Sequence, residues 1–202
     1  MIRYSNISQK MDPDRDMSFF DVRETPLEGL LEVQRLPRKD DRGFFSRLFC
    51  QDEAAQWGVS FAVRQINHTL TRGMGTSRGF HYQLQPHAED KFVSCLQGSV
   101  FDVAIDLRKD SPTFLKSHSV VLSNENMTTL LIPKGFAHGF QCLSEECVLL
   151  YLHSEAYNPA SERGLNMRDP KLVVDWPYPL TGMSDRDLAH LHLTDDFRGI
   201  EL

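Results

Sequence analysis

Several features are missing from this sequence, and their absence narrows the class of protein. No apolar run approaches the ~20 residues of a membrane-spanning helix, and no segment matches the glycine-rich loops that bind phosphate in common nucleotide-binding domains. The N-terminus has no basic segment followed by an apolar one, so we expect no signal peptide, no membrane association and a cytoplasmic location. The formal net charge of −6 argues against nucleic acid as a partner, but a local arginine cluster could still bind a small anion.

Cysteine is scarce as well. The four cysteines are Cys50, Cys95, Cys142 and Cys147. No pair has the two-residue spacing of a zinc knuckle or a redox motif. With 202 residues, the chain can bury a core without disulfides or a structural metal. We therefore expect reduced thiols.

The N-terminal residues differ in character from the rest. Residues 11–16 are polar and show no clear hydrophobic period. We expect residues 1–24 to form an N-terminal extension and residues 25–202 to form a single domain.

Short alternating segments with glycine and proline between them fill residues 28–176. Phe101, Val103 and Ile105 alternate with Asp102 and Ala104, which predicts a half-buried strand with one apolar face. Many such strands predict an all-β sandwich or barrel. Residues 184–189 are typical of a short helix that begins at a capping serine.

Three residues are candidates for proton-transfer chemistry. His81 shares a strand face with Gln83 and could act as a general base, although a hydrogen-bonded structural histidine fits the same pattern. Tyr151, on the same strand face as His153, could donate a proton or could be an ordinary core tyrosine. Lys91 could stabilise a developing oxyanion, or it could be a solvated lysine beside two acids.

A metal site and a phosphate site are further possibilities. His138 ends the pattern Pro133-x-Gly135-x-x-His138, which resembles the second sequence motif of the cupin barrels. His81, Glu89 and His138 could supply ligands, but Gln83 replaces the second histidine of the first motif, and we expect no metal. Four arginines could hold phosphate or be surface charges: Arg42, Arg47, Arg78 and Arg186.

Together these residues resemble one family, the dTDP-4-dehydrorhamnose 3,5-epimerases, which are metal-free cupins acting on nucleotide-linked keto-sugars. The resemblance runs from about residue 24 to residue 193. The matching segments are 41–45, 65–69, 78–83, 102–108, 111–114, 132–140, 157–159, 169–170 and 176–177, with Lys91, Tyr151, Ser184 and Asp187.

The resemblance implies a fold, a reaction and four catalytic roles. The fold would be a cupin-type double-stranded β-helix, or jelly-roll barrel, with short C-terminal helices. The enzyme would invert C3, C5 or both of a 4-keto-6-deoxy sugar through an enolate, without a cofactor. His81 matches the base and Asp187 the carboxylate that orients it. Tyr151 matches the proton donor, and Lys91 matches the group near the C4 carbonyl.

The resemblance also implies a substrate site for a nucleotide-diphosphate sugar and a homodimer. Tyr157 matches the aromatic residue that stacks on the nucleotide base. Arg47 replaces a usually acidic residue, which could change the nucleotide or sugar. In the family, the N-terminal strands of one subunit complete the site of the other. The expected substrate-binding residues are Arg42, Arg47, Gln65, Asn67, Arg78, Gln83, His138, Tyr157, Glu162 and Arg186.

Two alternatives remain open from the sequence. One is a metal-dependent cupin enzyme, which the residue at position 83 disfavours. The other is a non-catalytic member that binds sugar nucleotides. The presence of the base, its carboxylate and the proton donor argues against the second.

Overall fold

The computed structural model describes residues 18–202, and strands dominate this part of the chain. In chain order the strands are β1 (Phe20–Glu24), β2 (Leu31–Arg35), β3 (Arg38–Asp40), β4 (Gly43–Phe45), β5 (Gln65–Arg72), β6 (Ser77–Gln83), β7 (Lys91–Gln97), β8 (Ser99–Asp106), β9 (Ser117–Ser123), β10 (Thr128–Ile132), β11 (Phe136–Cys142), β12 (Glu146–His153) and β13 (Glu162–Gly164). The helices are α1 (Gln51–Gln56) and α2 (Asp185–Ala189). Neither is long and apolar enough to cross a membrane.

Two antiparallel sheets form the layers of the molecule. One has six strands in the order β1-β2-β10-β7-β12-β5, and the other has five in the order β13-β6-β11-β8-β9. A separate two-stranded ribbon joins β3 to β4. Neighbouring strands are often distant in sequence, as in a jelly roll, so the predicted all-β jelly-roll fold is confirmed.

Apolar side chains from both sheets form the central core. Val93, Ala104, Leu130 and Phe140 belong to this cluster, and each fully buried side chain of this kind contributes roughly 1.5–3 kcal/mol. The outer face of the five-stranded sheet is covered by the C-terminal segment, and that of the six-stranded sheet by residues 49–61.

The burial of strand β8 differs from what the sequence predicts. It was predicted to be half-buried with one apolar face, but both of its faces are buried. Val103 and Ile105 pack beneath the C-terminal segment. Asp102 and Asp106 point the other way and have no exposed surface, because each carboxylate is enclosed by hydrogen-bond donors.

Two glycines allow β6 and β11 to approach closely. Gly79 has a φ of +126°, and a Cβ placed on it would lie 2.5 Å from the Cα of Gly139. A side chain at either position would push the strands apart. The approach places His81 of β6 opposite His138 of β11 in the strand register.

Part of the predicted N-terminal extension belongs to the fold, and the predicted C-terminal helix is present. Strand β1 pairs with β2, so the last residues of the predicted extension belong to the six-stranded sheet. Residues 1–17 of that extension lie outside the described residues. At the other end, the predicted short helix is confirmed as α2, where Asp187 N donates to the Ser184 hydroxyl at 3.1 Å.

Candidate active site

A cavity of about 630 Å³, lined by many polar side chains, lies between the two sheets. Its walls come from β5 and β12 of one sheet, from β6 and β11 of the other, and from the loop after β12. The lining residues are Gln65, Asn67, Thr69, Arg78, His81, Tyr82, Gln83, Glu89, Lys91, His138, Phe140, Tyr151, His153, Tyr157, Glu162 and Arg186.

His81 and Asp187 form a close pair at one side of the cavity. His81 Nε2 lies 2.7 Å from Asp187 Oδ1, and the Asp187 side chain is only 4% exposed. Burial by itself would raise the pKa of Asp187, but the hydrogen bond and charge of His81, the Gly79 amide and Ser184 together lower it. An ionised Asp187 accepts the Nε2 proton, which leaves the lone pair of His81 on Nδ1. This arrangement suits a general base.

The guanidinium of Arg186 lies against the imidazole of His81. Arg186 Nη2 is 3.2 Å from His81 Nε2, and Arg186 Nη1 donates to Glu162 Oε1 at 3.0 Å. Because Nε2 carries the proton shared with Asp187, the guanidinium cannot also donate to it. Arg186 instead adds positive charge at the mouth of the cavity, where it could face an anionic substrate group.

His190 is a third group at this corner, and the sequence interpretation missed it. Its Nε2 lies 3.9 Å from Asp187 Oδ1 and is buried without a hydrogen-bond partner. Burial, followed by the nearby charge of His81, lowers the pKa of His190. No periodic pattern marks this residue, because it lies in irregular chain just after α2.

The ligand set considered from the sequence is not brought together. His138 is held by Asp102, and Glu89 is held by His153. Within residues 18–202, the cluster whose ligand atoms lie within 4.8 Å of one another is His81, Asp187 and His190. The Arg186 guanidinium beside it opposes a second cation. The absence of a metal therefore stays a prediction.

Tyr151 approaches the cavity from β12, on the sheet opposite His81. Burial raises the pKa of Tyr151, so the phenol is protonated at neutral pH. A protonated phenol facing a base across a cavity is suited to return a proton to the opposite face of a carbon.

Lys91 is buried rather than solvated, so the alternative of an ordinary surface lysine is wrong. Its side chain is 9% exposed. Nζ donates to the His81 carbonyl oxygen at 3.2 Å and pairs with Glu89 Oε1 at 3.4 Å. An ammonium group in this position can stabilise negative charge that develops on a bound substrate.

Two more histidines of the cavity wall are paired with carboxylates. His138 Nε2 lies 2.9 Å from both oxygens of Asp102, which β8 places beside it. His153 Nδ1 lies 2.8 Å from Glu89 Oε2. The sequence interpretation did not give Asp102 or the Glu89–His153 pair a role. The one signal for His153 is that it shares a face of β12 with Tyr151.

The mouth of the cavity carries an exposed aromatic ring. Tyr157 is 51% exposed, and its hydroxyl donates to Glu162 Oε2 at 2.8 Å. Its main-chain nitrogen donates to Gln65 Oε1 at 3.0 Å. These contacts hold the ring at the mouth, where a flat ligand can stack on it.

The polar atoms of Gln83 are already occupied. Gln83 Nε2 donates to the carbonyl oxygens of His87 and Ala156, and Oε1 accepts from Asn158 N. The residue lines the cavity, but its amide holds the loop that carries Tyr157. Its structural role is therefore to position that loop, and direct substrate binding by Gln83 stays a prediction.

Arg42 and Arg47 lie outside this cavity in the single chain. Arg42 is at the tip of the β3–β4 ribbon and pairs with Asp40 at 2.6 Å. Arg47 Nη1 donates to Glu53 at 2.8 Å, and its guanidinium lies 4.0 Å from the centre of the Phe19 ring. In the single chain Arg47 therefore fastens the N-terminal segment to α1, and its effect on the choice of nucleotide or sugar stays a prediction.

Comparison with known proteins identifies the family of this chain. The family profile described as dTDP-4-dehydrorhamnose 3,5-epimerase matches residues 24–195. An enzyme of that name from Shigella flexneri is 45% identical over 152 residues, covering 74% of this chain and 82% of its own.

Solved structures resemble the fold closely. A dTDP-4-dehydrorhamnose 3,5-epimerase from Bacillus anthracis, with TDP and PPi bound, has a TM-score of 0.84 and 35% identity and covers 86% of this chain and 99% of its own. A dTDP-6-deoxy-D-glucose-3,5-epimerase from Legionella pneumophila, in complex with dTDP-4-keto-L-rhamnose, has a TM-score of 0.84 and 35% identity and covers 91% and 98%. The barrel is therefore of the type found in these epimerases.

Proposed function

Because this chain belongs to the dTDP-4-dehydrorhamnose 3,5-epimerase family, we propose that it inverts C3 and C5 of a dTDP-linked 4-keto-6-deoxy sugar by proton transfer between His81 and Tyr151. The expected substrate is dTDP-4-dehydro-6-deoxyglucose and the product is dTDP-4-dehydrorhamnose. The observation that carries the mechanism is the placement of the His81–Asp187 pair and protonated Tyr151 on opposite sheets of one cavity.

The proposed steps need only proton transfer. The C4 ketone acidifies the protons on C3 and C5, and His81 removes one of them while Asp187 stabilises the imidazolium that forms. The electrons of the broken C–H bond enter an enolate, whose oxygen is stabilised by Lys91. Tyr151 then returns a proton to the other face of the carbon, and the centre is inverted.

The mouth of the cavity suits the nucleotide part of the substrate. Tyr157 offers an exposed ring on which the base can stack. Arg78 and Arg186 line the same cavity and supply donors for the diphosphate. The side chains of Gln65, Asn67, His138 and Glu162 are available around the sugar and the linking phosphates.

A homodimer is the proposed assembly. Strand β5 is an edge of its sheet and exposes Ile66 and Leu70. The β3–β4 ribbon exposes Phe44 and Phe45 beside Arg42. Exposed apolar groups on an edge strand and a short ribbon favour association with another chain. A second copy could therefore receive the ribbon and place Arg42 at its cavity.

An exchange experiment tests the reaction. Purified enzyme is mixed with dTDP-4-dehydro-6-deoxyglucose in heavy water, and NMR follows deuterium at C3 and C5. We expect deuterium at both carbons and signals of the inverted sugar. His81→Ala should abolish exchange while leaving the circular dichroism spectrum and dTDP binding unchanged. Absence of exchange with every 4-keto sugar nucleotide tried would refute the proposal. Dependence of the reaction on a stoichiometric metal would instead support the metal-dependent alternative.

A further inference from the structure

The Glu89–His153 pair is unused by the mechanism above. His153 belongs to β12, and Glu89 lies just before β7, 64 residues away in the chain. Their side chains are 11% and 9% exposed, and both line the cavity. A buried histidine held by a carboxylate has the same chemical make-up as the His81–Asp187 pair.

Glu89 fixes the tautomer of His153. Burial by itself would raise the pKa of Glu89, but the hydrogen bond from His153 and the charges of Lys91 and His153 lower it. An ionised Glu89 can only accept, so His153 Nδ1 carries a proton. The proton that can be gained or released is therefore the one on Nε2.

Asn67 can accommodate both states of that nitrogen. Asn67 Nδ2 lies 3.4 Å from His153 Nε2, as expected beside a neutral ring. If the amide turns over, its Oδ1 accepts from a protonated Nε2 instead. The groups that face His153 are thus Glu89, Asn67, Tyr151 from its own strand, and Lys91 through Glu89.

His153 lies beside Tyr151 on the same wall of the cavity. The two residues are two apart on β12, and their rings are nearly parallel, with centres 6.0 Å apart and an angle of 18°. His81 lies on the other sheet. The cavity therefore has the proposed base, His81, on one wall, and Tyr151 and His153 side by side on the opposite wall. The proposed reaction inverts two carbons, which flank the same carbonyl carbon.

We propose that His153 is a second catalytic proton donor, which returns the proton at one of the two inverted carbons while Tyr151 returns it at the other. This inference rests on the proposed function. His153 acts as an imidazolium: the enolate electrons form the new C–H bond with the Nε2 proton, and the N–H electrons stay on Nε2. The neutral tautomer that remains is the one held by Glu89, and water restores the proton.

The test follows the two carbons separately in the full-length enzyme. His153→Gln and Tyr151→Phe are each mixed with dTDP-4-dehydro-6-deoxyglucose in heavy water, and NMR gives the inversion rates at C3 and C5. We expect His153→Gln to slow one centre by about 100-fold or more, since a general acid contributes this much, and to leave the other within about twofold. Tyr151→Phe should show the reverse preference.

The ratio of the two rates distinguishes this role from a structural one. Equal slowing at both centres, or no slowing at either, would overturn the proposal. His118→Gln is the matched control, because His118 pairs with Glu32 at 2.8 Å outside the cavity, and its ratio should equal that of the wild type. Binding of dTDP checks that each variant is folded, and His153→Asn provides a second variant. Failure of the wild type to exchange any substrate would count against the proposed function instead.

Discussion

At the scale of single residues, Asp187 both orients the His81 ring and supplies a charge that stabilises its imidazolium. A substitution can separate these two effects. Asparagine in its place can still hold the ring, but it has no charge to stabilise the imidazolium. We expect Asp187→Asn to lower kcat by about 10²–10⁴-fold with little change in KM. Steady-state kinetics measure both constants. Asp195→Asn is the control, because Asp195 is exposed and pairs with Lys171. A variant that keeps more than half of the wild-type kcat would show that Asp187 does not assist the base.

The roles of individual residues could be predicted only where the partner was foreseeable. His81 and Tyr151 line one cavity because the strand pattern that identified them also determines which way they point. That pattern did not identify Lys91, which lines the same cavity. The contacts of Arg47 could not be predicted, because a short motif does not reveal that Glu53 and Phe19 engage the guanidinium. The same residue type can bind a ligand or fasten a segment, and only the fold decides between them.

At the scale of elements, alternation and turn residues predicted strands well but not which faces are buried. The sequence of β8 alternates between apolar and polar residues, which is typical of a strand with one face in water. Its aspartates are nevertheless buried. Asp102 pairs with His138 of β11, 36 residues away, and Asp106 accepts from Arg108, Ser111 and Thr113 in the segment that follows β8. The C-terminal segment then covers the apolar face. The alternation within β8 reveals neither the distant partner of Asp102 nor this cover.

Asp106 at the end of β8 provides a test of this buried polar face. It accepts hydrogen bonds from Arg108, Ser111 and Thr113 and has no exposed surface. We expect Asp106→Asn to destabilise the fold by about 3 kcal/mol, since it leaves buried donors and a cation without their carboxylate. The thermal unfolding midpoint should fall by about 6–12 °C at pH 7. Asp110→Asn, in the exposed loop that follows, should leave the midpoint unchanged.

The difference in stability between the wild type and Asp106→Asn should depend on pH in a defined direction. Burial by itself would raise the pKa of Asp106, but Arg108, Ser111 and Thr113 lower it below its unfolded value. Such a group contributes stability that is fully present above its unfolded pKa of about 4 and is lost as the pH falls through the folded pKa. The gap between wild type and Asp106→Asn should therefore be full near pH 7 and shrink below about pH 4. A gap that widens in acid would contradict the assignment.

At the scale of the whole molecule, the cavity and the β3–β4 ribbon have to be considered together. The ribbon exposes Phe44, Phe45 and Arg42 away from the cavity of its own chain. Nothing in the local sequence of a ribbon indicates whether it serves its own chain or another. If a second copy receives it, Ile66→Glu on the exposed edge strand should shift the mass measured by light scattering from dimer to monomer. Val173→Glu, at an exposed position outside the strands, should not.

Hybrid dimers decide which cavity Arg42 serves. Loss of a charge-assisted contact to the substrate should raise KM for Arg42→Ala about tenfold or more. In a hybrid of one Arg42→Ala subunit and one His81→Ala subunit, purified through two different tags, a ribbon that crosses over places both defects in one cavity and leaves the other intact. The hybrid should then show a wild-type KM and half of the wild-type kcat per dimer. If Arg42 serves its own cavity, no site in the hybrid is intact, and the raised KM persists.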